Sequence, residues 1–269
     1  MLSRIPSSTI RRIPVLALAI VLSGCATKPP ASDPAAVAAF AESNDQLEPF
    51  NRAMFKVDQG IDAVLTRPIV STYRSIIPDP ARRGVTNFLR NLRSPITFAN
   101  SLLQGNVDRA GQTIGRFVVN STFGILGFAD IAADLGTPYQ YEDFGQTLAK
   151  WGVGDGSYLY VPVFGPMSIR DGAGMLVDNF AFDPVTWYSY GKNPAWVDWA
   201  YFGALYVDVK ASTMPATDEL KASSIDYYAA LRAAYRQNRA KEIRNGAPAP
   251  APFMPAGEDD PFAAVPAKK

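Results

Sequence analysis

Histidine is absent from this chain of 269 residues. Its absence removes the usual general base, the usual metal ligand and every Ser-His-Asp or Cys-His arrangement. Cysteine occurs once, as Cys25, which excludes internal disulfides and thiolate metal clusters. An excess of one charge is lacking too: 26 basic residues against 25 acidic ones leave a net +1. Nothing draws the chain as a whole toward nucleic acid or an acidic substrate. An enzyme built from it would have to work with carboxylates, Lys, Tyr or Ser alone. Apolar residues make up 48% of the chain, enough for a packed core in one sizeable domain or two small ones.

Residues 1–25 read MLSRIPSSTIRRIPVLALAIVLSGC. Arg4, Arg11 and Arg12 make a basic start, and residues 13–22 form an apolar run too short to span a bilayer as a helix. Ser23 and Gly24 then precede the single cysteine. The Leu-Ser-Gly-Cys stretch resembles the bacterial lipoprotein signal. That resemblance implies a leader over 1–24 and a diacylglyceryl group on Cys25. Several acyl chains on one residue anchor stably, since each buried CH₂ contributes about 0.8 kcal/mol. The alternative is an ordinary signal peptide with a chance cysteine. Residue 26 is Ala rather than Asp, which in the sorting scheme this resembles favours the outer membrane.

Pro, Ala and Ser crowd residues 25–45, a tether, and a Pro/Ala-rich tail expected to be disordered occupies 246–269. Between them, 46–245 reads as one mainly helical domain with no internal repeat and little or no sheet. Leu47, Phe50, Met54, Val57, Ile61 and Val64 recur at three- and four-residue steps, one face of a helix that Arg67-Pro68 is expected to end. Asp79-Pro80 reads as a helix start with Asp as N-cap, and Asn193-Pro194 as the same signal before an aromatic helix. Thr217 is expected to cap a last helix reaching Asn245, with Gly246 past its end. The best strand signal is 157–163.

Three surfaces are unusual for a plain soluble protein. On the helix over 79–93, Arg82, Arg83, Arg90 and Arg93 share one arc, beside an apolar arc of Val85, Phe88, Leu89 and Leu92. Such a helix suits a membrane interface with its arginines near lipid phosphates, or a core helix with a solvated charged face. Residues 186–206 hold Trp187, Tyr188, Tyr190, Trp196, Trp199, Tyr201, Phe202 and Tyr206, which suits a membrane–water interface or an aromatic core. Residues 117–135 are apolar and Gly-flecked, yet Asn120, Asp130 and Asp134 argue against a simple span.

Gly152, Gly154 and Gly156 alternate within FGQTLAKWGVGDGSYLYVPVFGP (144–166). A dinucleotide fingerprint needs a strand before its glycines and a helix after them, and neither is in place. A turn with positive φ or a flexible hairpin is left. Several stretches in order resemble the VacJ/MlaA lipoproteins: LEPFNRAMF (47–55), RP (67–68), NFLRNL (87–92), LLQGN (102–106), GRFVVNSTFGILGFADIA (115–132), EDFGQTLAKWGVGDGSYLYVPVFGP (142–166) and IRDGAGMLVD (169–178). The weaker DYYAALRAAYRQNR (226–239) fits the last helix of that family. The acidic residue usual before Leu-Glu-Pro is displaced, with Gln46 in its place and Asp45 just ahead.

The resemblance implies a ring-like helical domain at the periplasmic face of the outer membrane, with a central amphipathic channel and a Gly-rich hairpin. Through the channel, phospholipids mislocalised in the outer leaflet pass inward to a soluble periplasmic carrier. The carrier takes them to an ATP-driven inner-membrane complex, which maintains lipid asymmetry. A porin trimer is the expected partner, and no catalytic residue, metal, cofactor or nucleic acid is implied. Gly152, Gly154 and Gly156 would give the hairpin freedom, and Tyr158, Tyr160 and Phe164 an amphipathic lining. Arg170 would either hold the hairpin through Asp171 or meet the phosphate. Arg82, Arg83, Phe88, Arg90, Arg93, Trp187, Trp196 and Trp199 would lie at the membrane interface. Two other readings stay open: a lipid-anchored cell-wall hydrolase using Glu142 and Asp143, although neighbours on a helix point apart, and a passive scaffold on porins.

Overall fold

The computed structural model describes residues 29–247, less 31, 35, 36, 38, 39, 41, 42, 193 and 194. The leader, Cys25, the tail beyond 247 and the Asn193-Pro194 start signal lie outside the described residues. The ordered elements are α1 (Glu48–Ile61), α2 (Arg67–Ile76), α3 (Asp79–Leu92), α4 (Ser94–Leu103), α5 (Val107–Phe123), α6 (Ile131–Asp134) and α7 (Phe144–Lys150). They continue with β1 (Tyr158–Val161), β2 (Gly165–Ser168), α8 (Ile169–Val177), α9 (Pro184–Lys192), α10 (Ala195–Ser223) and α11 (Tyr227–Ile243). The fold is mainly α. β1 and β2 pair antiparallel, from Tyr158 opposite Ser168 to Val161 opposite Gly165.

The helix expected from the apolar stripe forms as α1, but its buried face is Asn51, Phe55 and Asp58 while Val57 and Val64 are exposed, and Arg67-Pro68 does not stop it. A π segment, Asp62–Thr66, carries the chain into α2, with the Arg67 N–H bonded to the Asp62 carbonyl. The widened turn accommodates a proline that lacks the donor for an ordinary helical bond. α3 begins at Asp79 itself, without a side-chain cap, because the Asp79 carboxylate pairs with Arg82. Thr217 starts no helix. It lies inside α10, where its hydroxyl donates to the Met214 carbonyl at 3.0 Å. The neighbouring Asp218 reaches out to Arg67 at 2.8 Å. The last helix is capped by Asp226, which accepts from the Ala229 N–H at 3.1 Å.

Among the described residues the hairpin has no third strand, and side chains complete it. Asn51 donates to the Tyr158 carbonyl at 3.0 Å and accepts from the Tyr160 N–H at 3.0 Å, so one amide occupies the place of a neighbouring backbone. The Tyr158 N–H donates to the Asn44 carbonyl. Asn51 also donates to Asp45 at 2.7 Å, and Asp45 accepts from Tyr228 and Arg232 at 2.5 and 2.6 Å. Asn44 and Asp45 therefore belong to the folded body, although the sequence placed them in the tether. At the turn, Val163 is left-handed with φ +74, and its N–H is held by Asp58 at 2.8 Å. Asp58 also accepts from the Tyr160 hydroxyl at 2.7 Å. Phe55 packs edge-on to Tyr160, Tyr227 and Tyr228 at 5.2–5.5 Å, an aromatic core between α1, β1 and α11.

Asn51→Ala would orphan two strand backbone groups and take one donor away from Asp45. The expected loss is about 2–4 kcal/mol of unfolding free energy, read by chemical denaturation. A variant within experimental error of the wild type would show that water replaces the amide.

Candidate functional site

The glycine run is not the hairpin turn. It is a strap joining α7 to β1. α7 starts at Asp143, whose carboxylate caps the Gln146 N–H at 2.8 Å. It ends in a Schellman arrangement, with the Gly152 N–H on the Ala149 carbonyl and the Val153 N–H on the Leu148 carbonyl. Gly152 holds φ +88 there. Gly156 holds φ +68, and a Cβ on it would meet Ile169 at 3.2 Å. Gly154 has neither a left-handed φ nor a neighbour within 4 Å of a Cβ, so packing does not demand glycine at that position. Trp151, Val153 and Gly154 are exposed.

Both ends of the strap are clamped. Asn44 donates to the Gly156 carbonyl at 2.5 Å and to Asp155 at 3.2 Å, and the Arg170 N–H donates to the Asp155 carbonyl. The Arg170 guanidinium is 8% exposed. It donates to Asp171 at 3.1 Å and to the Val153 carbonyl at 3.4 Å. Of its two expected roles, the geometry gives it the brace and leaves it turned away from any phosphate in solvent. Asp171 also accepts from Tyr235 at 2.5 Å and from Arg239 at 3.0 Å. Arg239 grips Asp143 with two bonds of 2.7 Å. α7 and α8 meet so closely that a Cβ on Gly174 would lie 2.3 Å from the Gly145 nitrogen. Burial pushes the Asp143 and Asp171 carboxyls up, but Arg239 outweighs it and holds both below the usual range.

Asp178, beside this clamp, has no arginine bonded to it among the described residues. It accepts from the Phe144 N–H at 2.9 Å and from Asn100 at 2.8 Å. Burial prevails over these bonds and pushes it up to about 6. Glu142 is buried against Arg109 and Gln104, and burial raises its carboxyl. With Glu142 and Asp143 each committed to an arginine, the pair presents no open carboxylate dyad to a glycan.

Tyr158 and Tyr160 correct the sequence expectation. At 2% and 3% exposure they are core residues, because strand alternation points both toward Phe55 and Tyr228. Phe164, at the turn, is exposed and faces Phe202 of α10, with ring centroids 5.7 Å apart. The arginine arc of α3 is divided. Arg82 turns back to the Arg74 and Ile77 carbonyls at 2.7 and 3.0 Å, closing the end of α2. Arg93 sits among Tyr139, Tyr141, Tyr201 and Asp183. Arg83 and Arg90 are exposed, Arg90 over the Tyr139 ring at 4.7 Å, and Phe88 stacks on Phe128 at 4.9 Å. Trp187, Trp196 and Trp199 are all exposed, as are Val64, Ile76, Phe123 and Leu135.

The turn after α5 projects apolar side chains by force. Ile125 and Leu126 are left-handed, with φ +53 and +58, and Ile125 is 76% exposed. A branched residue there costs roughly 1–2 kcal/mol. Asn91 holds the turn, donating to the Leu126 carbonyl at 3.2 Å and to Ser121 at 2.9 Å. The adjoining polar residues of the 117–135 segment form an interior cluster. Arg116 grips Asp130 with two bonds of 2.8 Å, and Asn120 donates to the same carboxylate at 2.8 Å. Among the described residues no helix is long and apolar enough to cross a membrane.

The profile of the MlaA lipoprotein family matches residues 43–242, the stretch that holds the hairpin, the strap and the clamp. The chain belongs to the MlaA lipoprotein family. It is 32% identical over 207 residues to the intermembrane phospholipid transport system lipoprotein MlaA of Escherichia coli K12, covering 76% of this chain and 79% of that one. To the MlaA of Haemophilus influenzae it is 32% identical over 232 residues, covering 85% and 88%. An uncharacterized protein of Rickettsia felis is 30% identical over 203 residues, covering 76% and 79%. A solved structure reported as the structural basis for maintenance of bacterial outer membrane lipid asymmetry matches with a TM-score of 0.64 at 28% identity, over 74% of this chain and 98% of that one. In this MlaA lipoprotein Asp45, Asp58 and Asp178 escaped the sequence reading as site residues, whereas Asp171 was expected there as the partner of Arg170. The signal for Asp178 was its place inside the 169–178 stretch.

Two outcomes are expected. Gly152→Ala loses about 1 kcal/mol of stability through its left-handed φ, whereas Gly154→Ala stays within about 0.5 kcal/mol of the wild type, both by thermal melting. Equal losses would contradict the strap geometry. For Asp178, the raised value means that the fold binds a proton the unfolded chain releases. Its contribution therefore rises as pH falls from about 6 toward the ordinary 3.8. The stability advantage of the wild type over Asp178→Asn widens from neutral pH to about pH 5; a constant gap would show that the carboxyl does not titrate there.

Proposed function

We propose that this chain is a lipid-anchored outer-membrane protein that carries phospholipids from the outer leaflet to the periplasm. In this reading Cys25 holds it at the periplasmic face. The helical domain forms a ring around an amphipathic channel, and lipid leaving it is received by a soluble carrier for return to the inner membrane. A porin trimer is its partner in the bilayer, and no bond is made or broken.

The observation that carries the reading is the distribution of polarity. Among the described residues the buried set holds more polar and charged side chains than apolar ones, while large apolar residues are spread over the outside. A body facing lipid outward and lipid headgroups inward needs this arrangement. Such exposure in water would favour aggregation. The exposed tryptophans of α9 and α10 suit the headgroup level, and the strained apolar turn at Ile125 suits insertion among acyl chains. The names of the E. coli and H. influenzae relatives, which denote phospholipid transport, support the same reading. The strap supplies the movable part: clamped at both ends, it leaves Gly154 free.

The test measures outer-leaflet phospholipid in a strain lacking the gene, complemented by the wild type, Cys25→Ala or Gly154→Ala. Accumulation cleared by the wild type and not by Cys25→Ala is expected. Gly154→Ala, folded and anchored, clears lipid more slowly. An outer leaflet unchanged by loss of the gene would overturn transport and leave a scaffold on porins.

A further inference from the structure

A cavity of about 250 Å³ opens between α2, α3 and α10, apart from the strap and the hairpin. Tyr73, Arg74, Arg82, Arg83, Thr86 and Asp208 are among its walls. The volume far exceeds what one water needs. The Tyr73 hydroxyl is buried and has no hydrogen-bond partner among the described residues, an arrangement that costs stability unless a ligand completes it. Burial and the nearby Asp208 push its phenol up, so it stays an O–H donor. Arg74 uses one N–H on the Ala211 carbonyl at 3.1 Å, and Arg82 is fixed by carbonyls and Asp79. Arg83 has no ion pair among the described residues. Asp208 accepts from Thr86 at 2.6 Å and has no arginine or lysine bonded to it among the described residues.

Guanidinium groups, a spare phenol and a carboxylate thus share one cavity. This set matches an anionic phosphate ester that carries an ammonium a few bonds away. The same helices supply an apolar exit. Ile69 and Ile76 are exposed and share the Tyr73 face of α2, and exposed Val209 follows Asp208. A free phosphate compound would have no use for that border, but a lipid would.

We propose that this cavity seats the headgroup of a zwitterionic phospholipid, with its phosphodiester on Arg74, Arg83 and the Tyr73 hydroxyl and its ammonium on Asp208. The proposal deepens the transport reading and rests on it for the source of the ligand.

The test uses the purified full-length protein in detergent and titrates it calorimetrically with dihexanoyl phosphatidylethanolamine, dihexanoyl phosphatidylglycerol and inorganic phosphate. The wild type is expected to bind the ethanolamine lipid most tightly. Tyr73→Phe removes a hydroxyl with no protein partner, so its melting temperature holds or rises while binding weakens about tenfold. Arg83→Ala, at an exposed position, weakens it to a similar extent, and Asp208→Asn erases the preference for ethanolamine over glycerol. Variants that bind like the wild type, or no lipid binding at all, would overturn the proposal. Inorganic phosphate bound as tightly as lipid would also overturn it, by making the cavity a free-anion site. Surface phospholipid in the deletion strain separates the two readings. Accumulation there with unaffected variant binding retires the cavity and keeps transport. Headgroup binding that these variants abolish, with no accumulation, keeps the cavity and retires transport.

Discussion

The guanidinium of Arg239 holds the site together. It spans the first residue before α7, the first turn of α8 and its own helix near the C-terminus, through Asp143 and Asp171. A charge so enclosed is costly to desolvate, and its removal would leave two buried carboxylates facing each other. The two helices it ties meet at Gly145 and Gly174, where no side chain could fit. With α7 fixed at its start and closed by Gly152 at its end, the strap has one defined point of departure. Arg170, held by Asp171, fixes the other end. The exposed glycine segment is thus set in a rigid frame.

The same economy of polar contacts explains how a domain with so much apolar surface keeps one structure. In water, burial of apolar area is the main force for folding. Here a large share of that area points outward, and the interior relies on satisfied hydrogen bonds instead. Asn51 serves as a missing strand, Asp58 holds the turn at Val163, and Arg116 with Asn120 surrounds Asp130. Each is a specific pairing with one good geometry, so it selects a register more sharply than it adds stability. In the proposed membrane setting, lipid around the outside would remove the penalty for the exposed tryptophans, valines and isoleucines.

Asp178 stands apart from the clamp although it lies beside it. Asp143 and Asp171 face Arg239 and stay charged, whereas Asp178 has only neutral donors and is pushed toward neutrality. Burial raises all three carboxyls, and one arginine reverses that shift only for the two it can reach.

By itself the sequence determined the class of molecule. The missing histidine, the single cysteine and the apolar periodicity are local properties, and a helix stripe needs nothing beyond its own spacing to be recognised. The short strand at 158–161 and the glycine turn were legible for the same reason. Tertiary structure alone decided the direction in which residues face. Tyr158 and Tyr160 look amphipathic in the sequence, yet Asn51 sets their strand so that both rings enter the core. Arg82 and Arg93 share an arc with Arg83 and Arg90 on paper, but carbonyls of α2 and the tyrosines around Arg93 draw the first two inward. Helix ends went the same way: Thr217 was expected to cap the last helix, yet it lies inside α10, where Arg67, distant in the chain, engages the neighbouring Asp218. Partners separated by a hundred residues or more leave no periodic trace, and these long-range pairings of charge and amide are what give this fold its site.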